Sequence, residues 1–171
     1  RWENPESLIE FGDREPTAPW CWSGPARVVT GRTWGGCLEV LAQLALADRL
    51  PTNEQLRGSI LLIETSERLT PASAVAEYLR AFGERGLLQA VAGVLVARPP
   101  ASTFDVRPDA TGRVQWRAAQ RDAVTQAVTR YNPDAVVCVG LPFGHTRPQW
   151  ILPYGGAITL DGAARTVTAS Y

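Results

Sequence analysis

Three runs of branched aliphatic residues alternate with segments of helical periodicity along the chain. The runs are residues 59–64 (SILLIE), 91–97 (VAGVLVA) and 135–140 (AVVCVG). Nearly continuous apolar runs of this length are typical of strands that are buried on both faces of a parallel sheet. Because helical segments separate the runs, the pattern predicts an α/β fold with a parallel β-α-β-α-β core.

Apolar residues at helical spacing predict the helices between these strands. One helix is expected from Leu38 to about Asp48, and a second follows Thr70-Pro71, with Gly83 and Gly86 as its stop. A third covers Trp116–Tyr131, and residues 98–112 before it are predicted to form a Pro-containing loop. These helices supply the crossovers that a parallel sheet needs.

The two ends of the chain differ from this central pattern. Residues 1–27 contain four prolines and three tryptophans without a period of 2.0 or 3.6, which predicts a long ordered loop. Residues 28–171 are assigned to the folded domain itself, beginning with a strand at residues 28–32. Near the other end, Asp161-Gly162 separates two strand-like segments, so a C-terminal hairpin is expected.

Composition and charge exclude several classes of protein. The chain has 171 residues, 45% of them hydrophobic, which is ample for one core. Its 17 cationic side chains are all Arg, are balanced by 17 acids and are scattered singly, so no basic stripe for nucleic acid is expected. The longest apolar run, residues 87–97, is about half the length that crosses a bilayer, so no membrane span is expected.

The cysteine and histidine content argues against a metal or disulfide framework. Cys21, Cys37 and Cys138 are odd in number and show no CxxC spacing, and His145 is the only histidine. No metal site is therefore expected. The chain opens with Arg1 and contains no Met, so we expect it to be a piece of a longer polypeptide.

Two titratable residues follow the predicted strands closely. Glu64 closes the SILLIE strand, and His145 lies five residues beyond Gly140 in a Pro- and Gly-containing segment. Because functional groups collect at the carboxyl ends of parallel strands, both should lie at one edge of the sheet. A carboxylate that orients a histidine is the acid-base half of a nucleophilic triad. The alternatives are a solvated or helix-capping Glu64 and a His145 that only satisfies local hydrogen bonds.

No nucleophile accompanies this pair. None of the seven serines lies in a G-x-S-x-G elbow, and Ser59 starts a strand at the opposite end from Glu64. Cys138 falls in mid-strand, which favours a core position, and Cys37 follows a glycine pair. We therefore expect that neither thiol is the nucleophile.

An ordered set of short motifs resembles the carboxyl-terminal domain of the LD-carboxypeptidases and the related microcin C immunity peptidases. The resemblance runs from about Thr30 to the end of the chain. The motifs are Gly31-Arg32-x-x-Gly35-Gly36-x-Leu38, Ile60–Glu64, Val91-x-Gly93-Val94-Leu95, Leu141-Pro-x-Gly144-His145 and Leu152-Pro153-x-Gly155.

The resemblance implies a small layered β/β/α domain, of the swivelling type, from a cytoplasmic, homodimeric serine peptidase of bacterial type. Glu64 and His145 would then fill two positions of a Ser-Glu-His triad, and such a mechanism needs no metal or cofactor. The serine would come from an amino-terminal domain outside this chain, so the fragment alone should be inactive. Two positions depart from the family pattern: Cys37 stands where Asn is common, and Thr65 where a second acid is common.

The Trp-rich segment and one arginine are the candidate substrate contacts. Trp20 and Trp22 can stack on a planar group, as the adenylate of a microcin-type aminoacyl nucleotide would require, whereas a murein tetrapeptide has no such group. Arg147 can bind a carboxylate or phosphate. The alternatives are tryptophans packed against their own domain and an arginine in a surface salt bridge. A non-catalytic binding domain with a Trp-rich loop is the competing function.

Overall fold

The computed structural model describes Ile9, residues 17–103 and residues 105–171. These residues form seven strands and four helices. The strands are β1 (Cys21–Ser23), β2 (Val28–Cys37), β3 (Ile60–Glu64), β4 (Gly93–Ala97), β5 (Val136–Leu141), β6 (Ala157–Asp161) and β7 (Thr166–Ala169). The helices are α1 (Leu38–Leu46), α2 (Ala72–Glu84), α3 (Leu87–Ala90) and α4 (Ala110–Tyr131).

The strands form one sheet in the order β1-β5-β4-β3-β2-β6-β7. Strands β2 to β5 are parallel neighbours, whereas β1 and the β6–β7 hairpin pair antiparallel at the two sides. Each crossover steps to the next strand in the same direction, so the connecting helices lie on one face. The predicted α/β class, the parallel core and the C-terminal hairpin are confirmed.

Two apolar clusters cover the two faces of the sheet. The helix-side cluster joins α1, α2 and α4 to the sheet through side chains such as Leu38, Phe82 and Val124. On the other face the sheet curls, so that Ile158 and Leu160 of the hairpin pack with the central strands. Each fully buried aliphatic side chain contributes about 1.5–3 kcal/mol of transfer free energy. The result is a layered arrangement whose parallel strands have both faces buried.

Strand β1 corrects the prediction that residues 1–27 form only a loop. Residues 21–23 pair antiparallel with β5, and Trp20 and Trp22 are partly buried against the second cluster. Three residues are too few to show a period, and pairing with a pre-existing strand decides their conformation. The remaining loop prediction for residues 1–8 and 10–16 lies outside the described residues.

Strand β2 is twice as long as predicted because glycines let it run close to β3. Its first half pairs with β6 and its second half, from Thr33, pairs with β3. At Gly35, where φ is +142°, an added Cβ would lie 2.8 Å from the carbonyl carbon of Leu62. The Gly-rich stretch that hides the strand pattern is therefore what permits the pairing.

The helix boundaries differ from the predictions where tertiary contacts intervene. Helix α2 continues through Gly83, whose missing Cβ makes room for the Tyr131 ring of α4, and it stops before Gly86 at φ +80°. Helix α4 begins at Ala110, because the Asp109 side chain accepts a 2.7 Å hydrogen bond from the Gly112 amide. The short helix α3 was not predicted.

Candidate active site

The carboxyl ends of β3 and β5 bring Glu64 and His145 into direct contact. Glu64 is the last residue of β3, and His145 lies four residues past the end of β5. The Glu64 Oε2 atom accepts hydrogen bonds from the His145 ring Nδ1 at 2.6 Å and from the His145 backbone amide at 2.9 Å. The Glu64 side chain is 11% exposed and that of His145 is 44% exposed. One carboxylate therefore orients a histidine that solvent can reach.

Gly144 makes this close approach possible. Its φ of +68° lies in the left-handed region, and an added Cβ would lie 2.7 Å from the Glu64 Cβ and closer still to Oε2. The loop also folds back on itself, because the Trp150 amide donates to the Pro142 carbonyl at 2.6 Å. In the sequence, the Pro-x-Gly-His segment at residues 142–145 indicates this turn.

The carboxylates around His145 favour its protonated form. The hydrogen bond to Glu64 raises the pKa of His145 above its ordinary value of 6.5, although partial burial acts to lower it. The charges of Glu64, Glu67 and Glu39 act in the same direction as the hydrogen bond. Because a carboxylate accepts at Nδ1, the neutral ring keeps its proton there and Nε2 is the basic nitrogen.

Glu67 contacts the other ring nitrogen. Its Oε2 lies 3.2 Å from His145 Nε2, and its side chain is 72% exposed. A carboxylate cannot donate, so this contact belongs to the imidazolium form of His145. In the neutral ring, Nε2 is an acceptor and cannot form a hydrogen bond with this carboxylate.

Glu39, which the sequence analysis did not single out, anchors the loop that follows Glu64. It accepts hydrogen bonds from the Ser66 amide at 3.1 Å, the Ser66 hydroxyl at 2.7 Å and the Thr70 hydroxyl. Burial acts to raise the pKa of Glu39, but hydrogen bonds from Thr70, Ser66 and Cys37 outweigh it and lower the pKa to about 2. An acid in the first turn of a helix after a glycine pair was the available signal.

The structure also locates the groups considered as nucleophiles. The Cys37 thiol donates to Glu39 at 3.1 Å, and burial together with that bond raises its pKa to about 11. Burial raises the pKa of Cys138 to about 12. Both thiols stay protonated near neutral pH and are poor nucleophiles. Ser59 precedes β3 and is buried, at the opposite end of that strand from Glu64.

The segment 142–150, here called the histidine loop, contains Arg147 and contacts the Trp-rich segment through Trp20. Arg147 is exposed two residues after His145. Trp20 makes an edge-to-face contact with Trp150 of the histidine loop, with ring centroids 5.4 Å apart. Trp22 is partly buried like Trp20, and both pack against the second apolar cluster. The structure therefore joins the Trp-rich segment to the loop that carries His145.

The described part of the chain contains neither a metal cluster nor a membrane-crossing helix. No group of three or more His, Cys, Asp or Glu side chains there has an arrangement that could hold a metal ion. None of the helices among the same residues has the length and hydrophobicity that crossing a bilayer requires.

The fold and the Glu-His pair define an α/β domain that presents a carboxylate-oriented histidine at the carboxyl edge of a parallel sheet. The family model of the LD-carboxypeptidase C-terminal domain matches residues 30–160, which is more than half of the chain. The chain belongs to this family. No curated protein matches it.

Solved structures share the fold. An MccF-like protein from Streptococcus pneumoniae in complex with AMP has a TM-score of 0.72 and 22% identity, and the match covers 92% of this chain and 45% of that chain. The microcin C7 self-immunity protein MccF in complex with aspartyl sulfamoyl adenosine has a TM-score of 0.66 and 18% identity, with coverages of 89% and 41%. An MccF-like protein from Bacillus anthracis str. Ames has a TM-score of 0.67 and 16% identity, with coverages of 96% and 46%. This chain thus spans less than half the length of each.

Proposed function

We propose that this chain supplies the general base and its orienting carboxylate to a serine peptidase that hydrolyses an amide bond in a small peptide-like substrate. The observation that carries the proposal is the pair of hydrogen bonds from His145 to a single oxygen of Glu64, at 2.6 and 2.9 Å. Membership of the LD-carboxypeptidase C-terminal domain family supports it. The nucleophilic serine and its oxyanion donors belong to a domain outside this chain.

In this mechanism, His145 Nε2 takes the proton of the serine hydroxyl as the oxygen attacks the amide carbonyl. The imidazolium is stabilised by Glu64, and it then gives its proton to the leaving amine. Water repeats the same sequence on the acyl-enzyme, with His145 again acting first as base and then as acid. The neutral ring that begins each cycle has no bond to Glu67, so Nε2 is free to face the nucleophile.

We favour an aminoacyl nucleotide as the substrate over a murein tetrapeptide. Trp20 forms an aromatic pair with Trp150 of the histidine loop, and Trp22 belongs to the same Trp-rich segment as Trp20. Aromatic stacking on a base contributes about 1–3 kcal/mol. The complexes of related folds with AMP and aspartyl sulfamoyl adenosine support this choice. Arg147 is the candidate partner for a substrate phosphate or carboxylate.

We place the reaction in the cytoplasm. All three cysteines, Cys21, Cys37 and Cys138, are free thiols in the structure. Reduced thiols are typical of that compartment.

The test compares this chain with the longer polypeptide that carries the amino-terminal domain. Each is incubated with a serine-reactive fluorophosphonate, with an aminoacyl adenylate and with a murein tetrapeptide. We expect labelling and turnover only in the longer polypeptide, with the label on a serine outside this chain. Turnover or stoichiometric labelling by this chain alone would contradict the proposal. Ligand binding without turnover in the longer polypeptide would instead favour the non-catalytic binding domain.

A further inference from the structure

Arg98 connects the end of β4 to the segments on both sides of His145. Its backbone amide donates to the Leu141 carbonyl at 2.7 Å, just before the histidine loop. Its side chain donates from Nε to the Thr146 hydroxyl at 3.0 Å and from Nη2 to the Arg147 carbonyl at 2.7 Å, just after the histidine. Three hydrogen bonds from one residue therefore restrain the chain that carries the base.

The chemistry of the guanidinium suits this role. Arg98 is partly buried, and this removal from water lowers the pKa of its guanidinium from the ordinary value. An arginine nevertheless stays charged, so its donors must find acceptors. The planar fork reaches two acceptors that are fixed relative to each other, whereas a lysine ammonium is a single point on a flexible stem. The hydroxyl of Thr146 and the carbonyl of Arg147 are those acceptors.

We propose that Arg98 is a positioning residue for the general base, holding residues 145–147 so that His145 Nδ1 stays on Glu64. This inference rests on the proposed function, because only the proposed mechanism gives His145 the role of a general base. Arg98 acts through the backbone and Thr146, and it does not touch the ring. Glu64 holds the ring through one atom, Nδ1, and Arg98 restrains the backbone that sets the orientation of the ring.

His145 is the only histidine, so all imidazole resonances in an NMR pH titration of this chain belong to it. We expect Arg98→Gln to lower the pKa of His145, because a looser loop weakens the bond to Glu64. Removing a nearby cation without any change of position would act in the opposite direction and raise that pKa. The sign of the shift therefore separates positioning from the simple loss of charge.

Matched variants guard against general destabilisation. Arg57→Gln removes an exposed arginine remote from the site and should leave the His145 pKa unchanged. Thr146→Val removes one acceptor and should lower the pKa in part, whereas Thr146→Ser keeps the hydroxyl and should preserve it. These threonine variants test the same link if Arg98→Gln does not fold. An unchanged or raised His145 pKa in folded Arg98→Gln and Thr146→Val would overturn the proposal.

The longer polypeptide supplies the kinetic readout. Arg98→Gln should lower kcat by roughly tenfold or more with KM nearly unchanged, and Arg98→Lys should restore part of it, since misplacement of a base affects the chemical step. If kcat/KM falls by the same factor but only because KM rises, with kcat unchanged, the result would contradict a positioning role. Failure of the proposed function is distinguishable, because the wild-type polypeptide would then show no turnover while the titration of His145 would still respond to Arg98.

Discussion

Replacement of Gly144 by alanine should separate the Glu64–His145 pair without removing either side chain. The new Cβ would lie 2.7 Å from the Cβ of Glu64, well inside van der Waals contact. Either the carboxylate or the loop must then move. Because both hydrogen bonds from His145 end on the same Glu64 oxygen, one displacement breaks both.

The magnitude follows from two contributions. An alanine at positive φ lowers the free energy of unfolding by about 1–2 kcal/mol. Because alanine also reduces the conformational freedom of the unfolded chain, about 0.4–1 kcal/mol of this loss is recovered. Loss of two hydrogen bonds to a carboxylate adds about 1–2 kcal/mol, a figure reduced for the solvent exposure of His145. We therefore expect Gly144→Ala to destabilise the chain by about 2–3 kcal/mol.

Gly58 provides a matched control. Its φ is +74°, close to the +68° of Gly144, but an added Cβ there meets no atom within 4 Å. Gly58→Ala should therefore carry the backbone cost alone, about 1 kcal/mol. Urea unfolding of both variants measures the difference, and NMR titration of the single histidine measures the pair directly.

The titration gives the decisive result. We expect the His145 pKa to fall towards its ordinary value of 6.5 in Gly144→Ala and to stay raised in Gly58→Ala. Equal destabilisation by the two variants, together with an unchanged His145 pKa in Gly144→Ala, would refute the claim that Gly144 permits the contact.

Further predictions concern the surrounding groups. Because the pKa of Glu39 is lowered from 4.5 to about 2, its stabilisation is present above pH 4.5 and is lost as pH falls towards 2. Glu39→Gln should cost about 1–2 kcal/mol at pH 7, after a discount for exposure, and little at pH 2 in urea unfolding. Wild type should have a higher free energy of unfolding than His145→Gln, with the full difference below pH 6.5 and a smaller one as pH rises through the raised His145 pKa. A difference that does not change with pH would contradict this prediction. In the longer polypeptide, Trp20→Ala and Trp22→Ala should each raise KM for an aminoacyl adenylate roughly tenfold and spare a murein tetrapeptide, whereas equal effects on both substrates would indicate core packing alone.

The central strands and the location of the site could be predicted from local sequence. A buried strand such as β3 appears in the sequence as an apolar run, and the polar residue that ends the run can be recognised. In β3 that residue is Glu64. His145 could be identified from the sequence because it is the only histidine and follows another apolar run, in a Pro- and Gly-containing segment. Parallel topology then places both residues at one edge.

The supporting groups could not be predicted in the same way, because their roles arise from partners far along the chain. Glu39 binds Ser66 and Thr70, and Arg98 binds Thr146, with separations of 27, 31 and 48 residues. Neither residue stands out by composition or period. Strand β1 was missed for a related reason, because β5 imposes its extended conformation.

The role of His145 as the general base is tested most directly by kcat of two single variants of the longer polypeptide, His145→Ala and Glu64→Gln. We expect His145→Ala to lower kcat by roughly 10³-fold or more, because no other group can exchange the proton. Glu64→Gln should lower kcat less but still well beyond tenfold, since it only orients and stabilises the ring. Near-normal kcat in a folded His145→Ala variant would contradict the assignment of His145 as the base.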